Sequence, residues 1–282
     1  MNAVLRAARL GFLRSLIEFK QFLRNPQEII WTVSMSLIFL IVLWFQRNSD
    51  INGVSLALLT LPGLLGMTIA QGGFSGTAGT LSYDREDGTL LRAKAIPQGM
   101  VGYLVSRVLY IIYSTLISLV ILFIPSLFLI NGLTDVGWLG LVTFAWLFIL
   151  GFLATAPWGA IIGSVVKSSG SGWGLTFLPL AGMVAISGIF YPISALAGWL
   201  QALAQVFPVY WLGLGARSIF LPDSAALNEI GGSWRTDQTV LILSLWAIVG
   251  FLIAPRVLRH MARRESGSSM EDRKQKVLNR GY

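Results

Sequence analysis

Three carboxylates, Asp84, Glu86 and Asp87, fall within four residues of the stretch LSYDREDGTLLRAKAIPQG (Leu81 to Gly99) and are the first residues with chemistry to offer. Clustered carboxylates can hold Mg²⁺ and, through it, a phosphate. Such a site needs oxygens converging from several directions. Three acids in four residues cannot share one helical face, and no second acidic cluster stands in a loop that would join them. His260 is the only histidine; it sits among arginines and has no neighbouring residue to share a metal. Cysteine is absent, so neither a disulfide framework nor a thiolate metal site is available. Neither a Gly-x-Ser-x-Gly nucleophile turn nor an HExxH helix occurs. The nearest approach to a phosphate loop, GAIIGSVVKSS from Gly159, has Val166 where a glycine must precede Lys167. Gly159 and Gly163 suit a small-xxx-small helix-packing face instead. No cofactor or catalytic group is expected in this chain, and any energy must come from another polypeptide.

The elements that carry these residues belong in a membrane. The 282 residues are 55% hydrophobic and 12% charged, with a mean hydropathy of +0.70, far from the composition of a soluble domain. A helix crosses a bilayer with roughly 20 mainly apolar residues. Six segments qualify, over about 29–45, 54–81, 103–130, 138–166, 173–191 and 239–255. Between the last two lies an apolar stretch interrupted by Pro192, Pro208 and Pro222. Lys and Arg decide whether it crosses: with six spans, 18 fall on one side and three on the other. A seventh crossing would move the eight Lys and Arg residues of 256–282 and spoil that bias, so residues 192–222 are expected to be re-entrant or interfacial. Both termini are then cytoplasmic. Trp31, Trp44, Trp138 and Trp173 stand at span boundaries, where interfacial belts or buried packing both suit them. The net charge of +8 is explained by flanking headgroups and topology, and no nucleic-acid recognition module accompanies it.

Residues 1–28 show no apolar core followed by a small-residue cleavage site, as a targeting peptide would. Leu5, Ala8, Phe12, Leu16, Phe19 and Leu23 recur at three- and four-residue steps, opposite Arg6, Arg14, Gln21 and Arg24. That pattern predicts an amphipathic helix in the headgroup layer, turning at Pro26 into the first span; it is either an orientation anchor or also a lever for a cytosolic partner. Residues 260–282 read as a solvated basic tail or a frayed helix. The domain plan is thus 1–28, a six-span region over 29–259, and the tail.

The middle of every span is uncharged, which argues against a proton relay, although backbone carbonyls could hold a sodium ion. The second span is rich in glycine and carries Thr68, Gln71 and Ser75; its surface either packs tightly or lines a pathway. It runs directly into the charged stretch, where Gly88 breaks the helix, Thr89 caps a short one over Leu90–Ala95, and Pro97 with Gly99 turns the chain back. Such a loop is ordinarily just solvated. Held between two membrane helices, it can equally act as a rigid knob.

The sequence resembles the membrane subunits of the type-2 family of ATP-binding cassette (ABC) transporters along nearly its whole length. An amphipathic helix precedes the first span. YDREDGTLLRAKAIP is similar to the family's acidic, Gly-Thr, Leu-rich, basic and then Pro pattern. SGIFYPISALAGWLQALAQVFPVYWLGLGAR is similar to its Gly, Phe-Pro, Trp-Leu external region. One departure is that Phe207-Pro208-Val209-Tyr210 replaces an Asn-Pro-Leu-Thr-Tyr run. The resemblance implies an all-α membrane protein of six spans, paired with an identical or homologous membrane subunit, with two ATP-binding subunits that bind ATP and Mg docked below. On matching positions, Asp84, Arg85, Glu86, Asp87, Gly88, Thr89, Leu90 and Arg92, in the coupling segment 82–99, would meet the ATP-binding partner. Thr68, Gln71, Ser75, Ser187 and Phe190 would line the pathway, and Pro192, Trp199, Pro208 and Tyr210 would belong to an external cap. The expected function is the permease half of an exporter in a bacterial or archaeal plasma membrane. Amphipathic drugs or natural products are the first expectation for its cargo, with a lipid or lipid-linked glycan as the alternative. An ion-coupled transporter or intramembrane enzyme is a more remote reading.

Overall fold

The computed structural model describes residues 3–51, 54–130, 133, 136–166 and 169–264. Lys167 and residues 265–282 of the expected tail lie outside the described residues, as do the side chains of Trp31 and Trp173. Almost everything described is helical; the exception is a two-residue antiparallel pair, β1 (Asp50–Ile51) with β2 (Val54–Ser55).

Helix α1 (Ala3–Phe22) lies along α6 (Gly99–Leu129) through a narrow seam in which Gly11, Ser15 and Phe22 are buried. A Cβ on Gly11 would stand 2.4 Å from the Gly102 carbonyl oxygen, so the two backbones cross at their glycines. Of the predicted apolar stripe, Leu5, Phe12, Leu16 and Leu23 stay exposed beside Leu10, Leu13 and Ile17, while Ala8 and Phe19 are half-buried. An apolar face that the protein itself leaves uncovered is what a helix lying in a membrane surface presents. Asn25 then caps α2 (Pro26–Gln46), its Oδ1 accepting from the Gln27 amide at 3.1 Å. Pro26 takes the first helical position, where its missing N–H costs nothing.

The central rod is α3 (Leu56–Gln71), a π-helical turn (Gly72–Gly76) and α4 (Thr77–Glu86), continuous from Leu56 to Glu86 and the most buried of the long helices. Glycines of α7 (Trp138–Val165) let it close on this rod: a Cβ on Gly159 would lie 2.3 Å from the Phe74 carbonyl oxygen, and one on Gly163 2.7 Å from that of Ala78. The short α5 (Thr89–Lys94) joins α4 to α6. Helices α8 (Ser169–Ala185), α9 (Gly198–Val206), α10 (Pro208–Phe220) and α11 (Thr236–Arg264) complete the bundle. α11 packs on α7, and α10 packs on α3.

Among the described residues, five helices are long and apolar enough to cross a membrane: Pro26–Gln46, Leu56–Glu86, Gly99–Leu129, Trp138–Val165 and Thr236–Met261. Two expected boundaries move furthest. The fifth segment, expected to reach Tyr191, ends as α8 at Ala185. The chain turns at Gly188, which has a φ of 70°, a left-handed conformation that suits glycine far better than any residue with a Cβ. The last segment, expected to end near Pro255, continues to Arg264, so the residues taken as the start of the tail, His260 included, are helical. Hydropathy follows only the apolar part of that helix, whereas its polar end still gains backbone hydrogen bonds, and basic residues suit a helix C-terminus.

Candidate functional site

Seen from its partners, the charged stretch divides into an inner and an outer set. Asp84 is fully buried. Its carboxylate accepts from the Tyr103 hydroxyl at 2.8 Å and from the Arg107 guanidinium at 2.5 Å. Tyr103 and Arg107 are one helical turn apart on α6, so both reach the same side. Arg107 also lies 3.3 Å from Glu18 of α1, and the Ser106 hydroxyl donates to that same carboxylate at 2.7 Å. One guanidinium thus joins α1, α4 and α6. Arg85, also buried, turns the other way, donating to the carbonyls of Gly163 (3.1 Å), Ser164 (2.7 Å) and Val166 (3.0 Å). A cation on the last carbonyls of α7 satisfies acceptors with no intrahelical partner and complements the helix dipole.

The next residues shape α5. Gly88, at φ +78°, ends α4 and serves as the N-cap of α5, while Asp87 accepts from the Thr89 amide and hydroxyl, both at 2.8 Å. Asp87 is thus hydrogen-bonded within the turn that opens α5. Leu90 and Ala93 pack into a cluster with Leu81, Tyr103 and Met261 near the end of α11. Thr89 is buried, Glu86 is half-buried and Arg92 is exposed. Tyr83, Ile96, Pro97 and Gln98 are also exposed, so the outer surface of this knob is aromatic, apolar and basic rather than acidic. Among the described residues no group of three or more His, Cys, Asp or Glu could hold a metal.

The residues proposed from sequence to line a pathway separate in the same way. Gln71 and Phe190 meet at an apolar groove of about 370 Å³ between α3 and α8, with Met67, Leu180 and Val184. Thr68 and Ser187 are buried and donate to the carbonyls of Leu64 and Val184, each 3–4 residues back on its own backbone. Ser75 is half-buried in the π-helical turn and does not line the groove.

The four cap residues do not form one surface. Pro192 and Trp199 are exposed. Pro208 opens α10 and is buried, and Tyr210 is fully buried in the main core. Its hydroxyl oxygen accepts from Arg235 at 2.5 Å.

At this end of the bundle, opposite α5, a cavity of about 520 Å³ opens between the start of α3, the turn after α8 and the end of α10. Phe190 and Tyr191 line both this cavity and the apolar groove. Sequence reasoning missed Glu18, Tyr103, Ser106, Arg217 and Glu229 altogether. The four-residue spacing of Tyr103 and Arg107 was the one local signal; the other partners are distant in the chain. A family model described as ABC-2 type transporter matches residues 15–221, spanning α1 to the end of α10. No curated protein matches the chain.

Proposed function

Because the chain belongs to the ABC-2 type transporter family, the membrane permease component of an ABC transporter, we propose that it forms one half of an ATP-driven exporter for amphipathic molecules. In this reading the chain crosses the membrane six times, α8 being the shortest crossing and α9 and α10 re-entrant. Helix α10 has thirteen residues. At about 1.5 Å per residue such a helix reaches only about 20 Å, short of the roughly 30 Å hydrocarbon core of a bilayer. Both termini and α5 face the cytoplasm of a bacterial or archaeal cell, and the assembly contains two membrane subunits and two ATP-binding subunits. ATP and Mg bind the latter.

The observation that carries this reading is the way α5 is mounted. A force applied to its outer surface reaches α6 and α11 through Leu90 and Ala93 and, by way of α4, reaches α7 through Arg85 and α1 through Asp84 and Arg107. A solvated loop needs none of these buried attachments. When ATP closes the cytosolic subunits, α5 moves with them, and the attached helices carry that displacement into the bundle. The groove at Gln71 and Phe190, free of charge and nearly free of polar groups, suits the apolar part of a drug or natural product.

Replacing Tyr83, Arg92 and Ile96 together by Ser, Glu and Ser tests the assignment. Each is exposed, so folding and membrane insertion are expected to be unchanged. Co-purification of the ATP-binding subunit and cargo-stimulated ATP hydrolysis should both fall at least about tenfold, the effect of losing a small cluster of interface contacts. Unchanged co-purification and turnover would reject α5 as the docking element.

A further inference from the structure

The cavity at the end of the bundle opposite α5 has a composition that the uncharged groove beneath it does not share. Its apolar wall includes Leu56, Leu59, Ile189 and Leu221; its polar wall holds Arg217 and Glu229. The guanidinium and carboxylate face each other in a fork, Arg217 Nε donating to Glu229 Oε1 at 2.6 Å and the second nitrogen to Oε2 at 3.3 Å. Their side chains are only 5% and 10% exposed. The pair does not exhaust either group. Among the described residues, the remaining guanidinium nitrogen makes one long hydrogen bond, 3.4 Å to the Gly188 carbonyl. A carboxylate offers about four acceptor positions, and these two bonds use two of them. The wall therefore carries a spare cationic donor and spare anionic acceptors side by side, with no net charge.

From this geometry we infer that the cavity is a binding site for the head of a zwitterionic amphiphile, whose anionic part takes the free Arg217 nitrogen and whose ammonium part approaches Glu229. A head of net negative or positive charge would gain one of these contacts and be repelled by the other member of the pair. The apolar body would extend past Phe190 and Tyr191, which border both the cavity and the groove. The inference rests on the exporter reading and narrows its cargo to amphiphiles with a charge-separated, net-neutral head. Bilayer phospholipid and transported cargo share that chemistry; continuity with the groove favours cargo.

Photolabelling separates the outcomes. The full chain in proteoliposomes, without nucleotide, is exposed to single-chain amphiphiles carrying a diazirine next to the head, which is phosphocholine, phosphoglycerol or trimethylammonium. Adducts are mapped by peptide mass spectrometry. Phosphocholine is expected to label residues 56–60 and 221–229 about tenfold more than either charged head, the worth of one charge-assisted hydrogen bond. The double variant Arg217→Gln with Glu229→Gln should abolish that preference while leaving labelling at lipid-exposed Leu139 unchanged. Should this variant not fold, Leu59→Trp narrows the cavity without touching the ion pair and should lower the same adducts. Equal labelling by all three heads, or adducts confined to Leu139 and Phe128, would overturn the site. Ala181→Trp, which fills the groove, is expected to reduce the cavity adducts; retention at full strength would overturn the cargo route in favour of bilayer lipid. Neither nucleotide nor ATP-binding subunit is needed, so failure here leaves the α5 assignment intact, and failure of co-purification leaves a labelled cavity intact.

Discussion

Arg107 occupies a position where removing one partner differs sharply from removing another. Asp84 is wholly enclosed and Glu18 partly so. Breaking a buried ion pair from one side leaves the other charge uncompensated and costs about 3–5 kcal/mol. Asp84→Asn is therefore expected to lower the thermal midpoint of the detergent-purified protein substantially, as read by intrinsic fluorescence. Tyr103→Phe, which removes one hydroxyl donor from the same carboxylate, should cost about 1.5–3 kcal/mol. Combining the two should cost less than the sum, since both act through one carboxylate. Additive shifts would show that the tyrosine and the arginine stabilise the protein independently. The ionisable run Asp84–Lys94 was visible in the sequence, as was its break at Gly88. Its division into inward and outward residues was not. Asp84 and Arg85 are adjacent, yet one turns to α6 and the other to α7, and only the positions of those helices determine which charges are taken out of reach.

Helix packing is decided by where backbones must touch. On α4 and α7 the glycines divide into two kinds. Gly163 abuts the carbonyl of Ala78, and a methyl group there would sit 2.7 Å from that oxygen; Gly79, on α4, has nothing within 4 Å of its would-be Cβ. Gly163→Ala must push α4 and α7 apart and strain the Arg85 contacts, costing about 1–3 kcal/mol as overpacking does. Gly79→Ala meets no obstacle and should stabilise by about 0.5–1 kcal/mol, through lower conformational freedom of the unfolded chain. Thermal midpoints moving in opposite directions support the close crossing; parallel shifts would refute it. The Gly159/Gly163 face was legible from spacing alone, because small residues four apart make one helical stripe. The end of α8 was less legible: the apolar run continues through Ile186, Ile189 and Phe190, and hydropathy cannot register that Gly188 turns the chain back. Nor does the apolar, proline-flanked α10 reveal by composition that Pro208 and Tyr210 are core residues. An external cap and a buried helix draw on the same amino acids.

The proposed seating of the bundle in a membrane rests on a charge distribution rather than on any single contact. With six crossings, 18 of the 21 Lys and Arg residues lie on the side of the termini and α5, and three on the other. Translocating the larger set would oppose the bias that orients membrane proteins. In the proposed topology α5 stands where a cytosolic ATPase would reach it, and the Arg217–Glu229 cavity where cargo would leave. A five- or seven-crossing chain would separate the basic tail from α5 and break that correspondence. Because the chain contains no cysteine, single substitutions report topology without background. Ser233 and Ile96 are both exposed, at opposite ends of the bundle. Ser233→Cys should react with a membrane-impermeant maleimide in intact cells, and Ile96→Cys only after permeabilisation. The reverse pattern would invert the molecule, placing α5 outside and beyond any cytosolic ATPase. Labelling of both in intact cells would mean that the two ends share a side, which an even number of crossings between them would require in place of the three assigned to α6, α7 and α8.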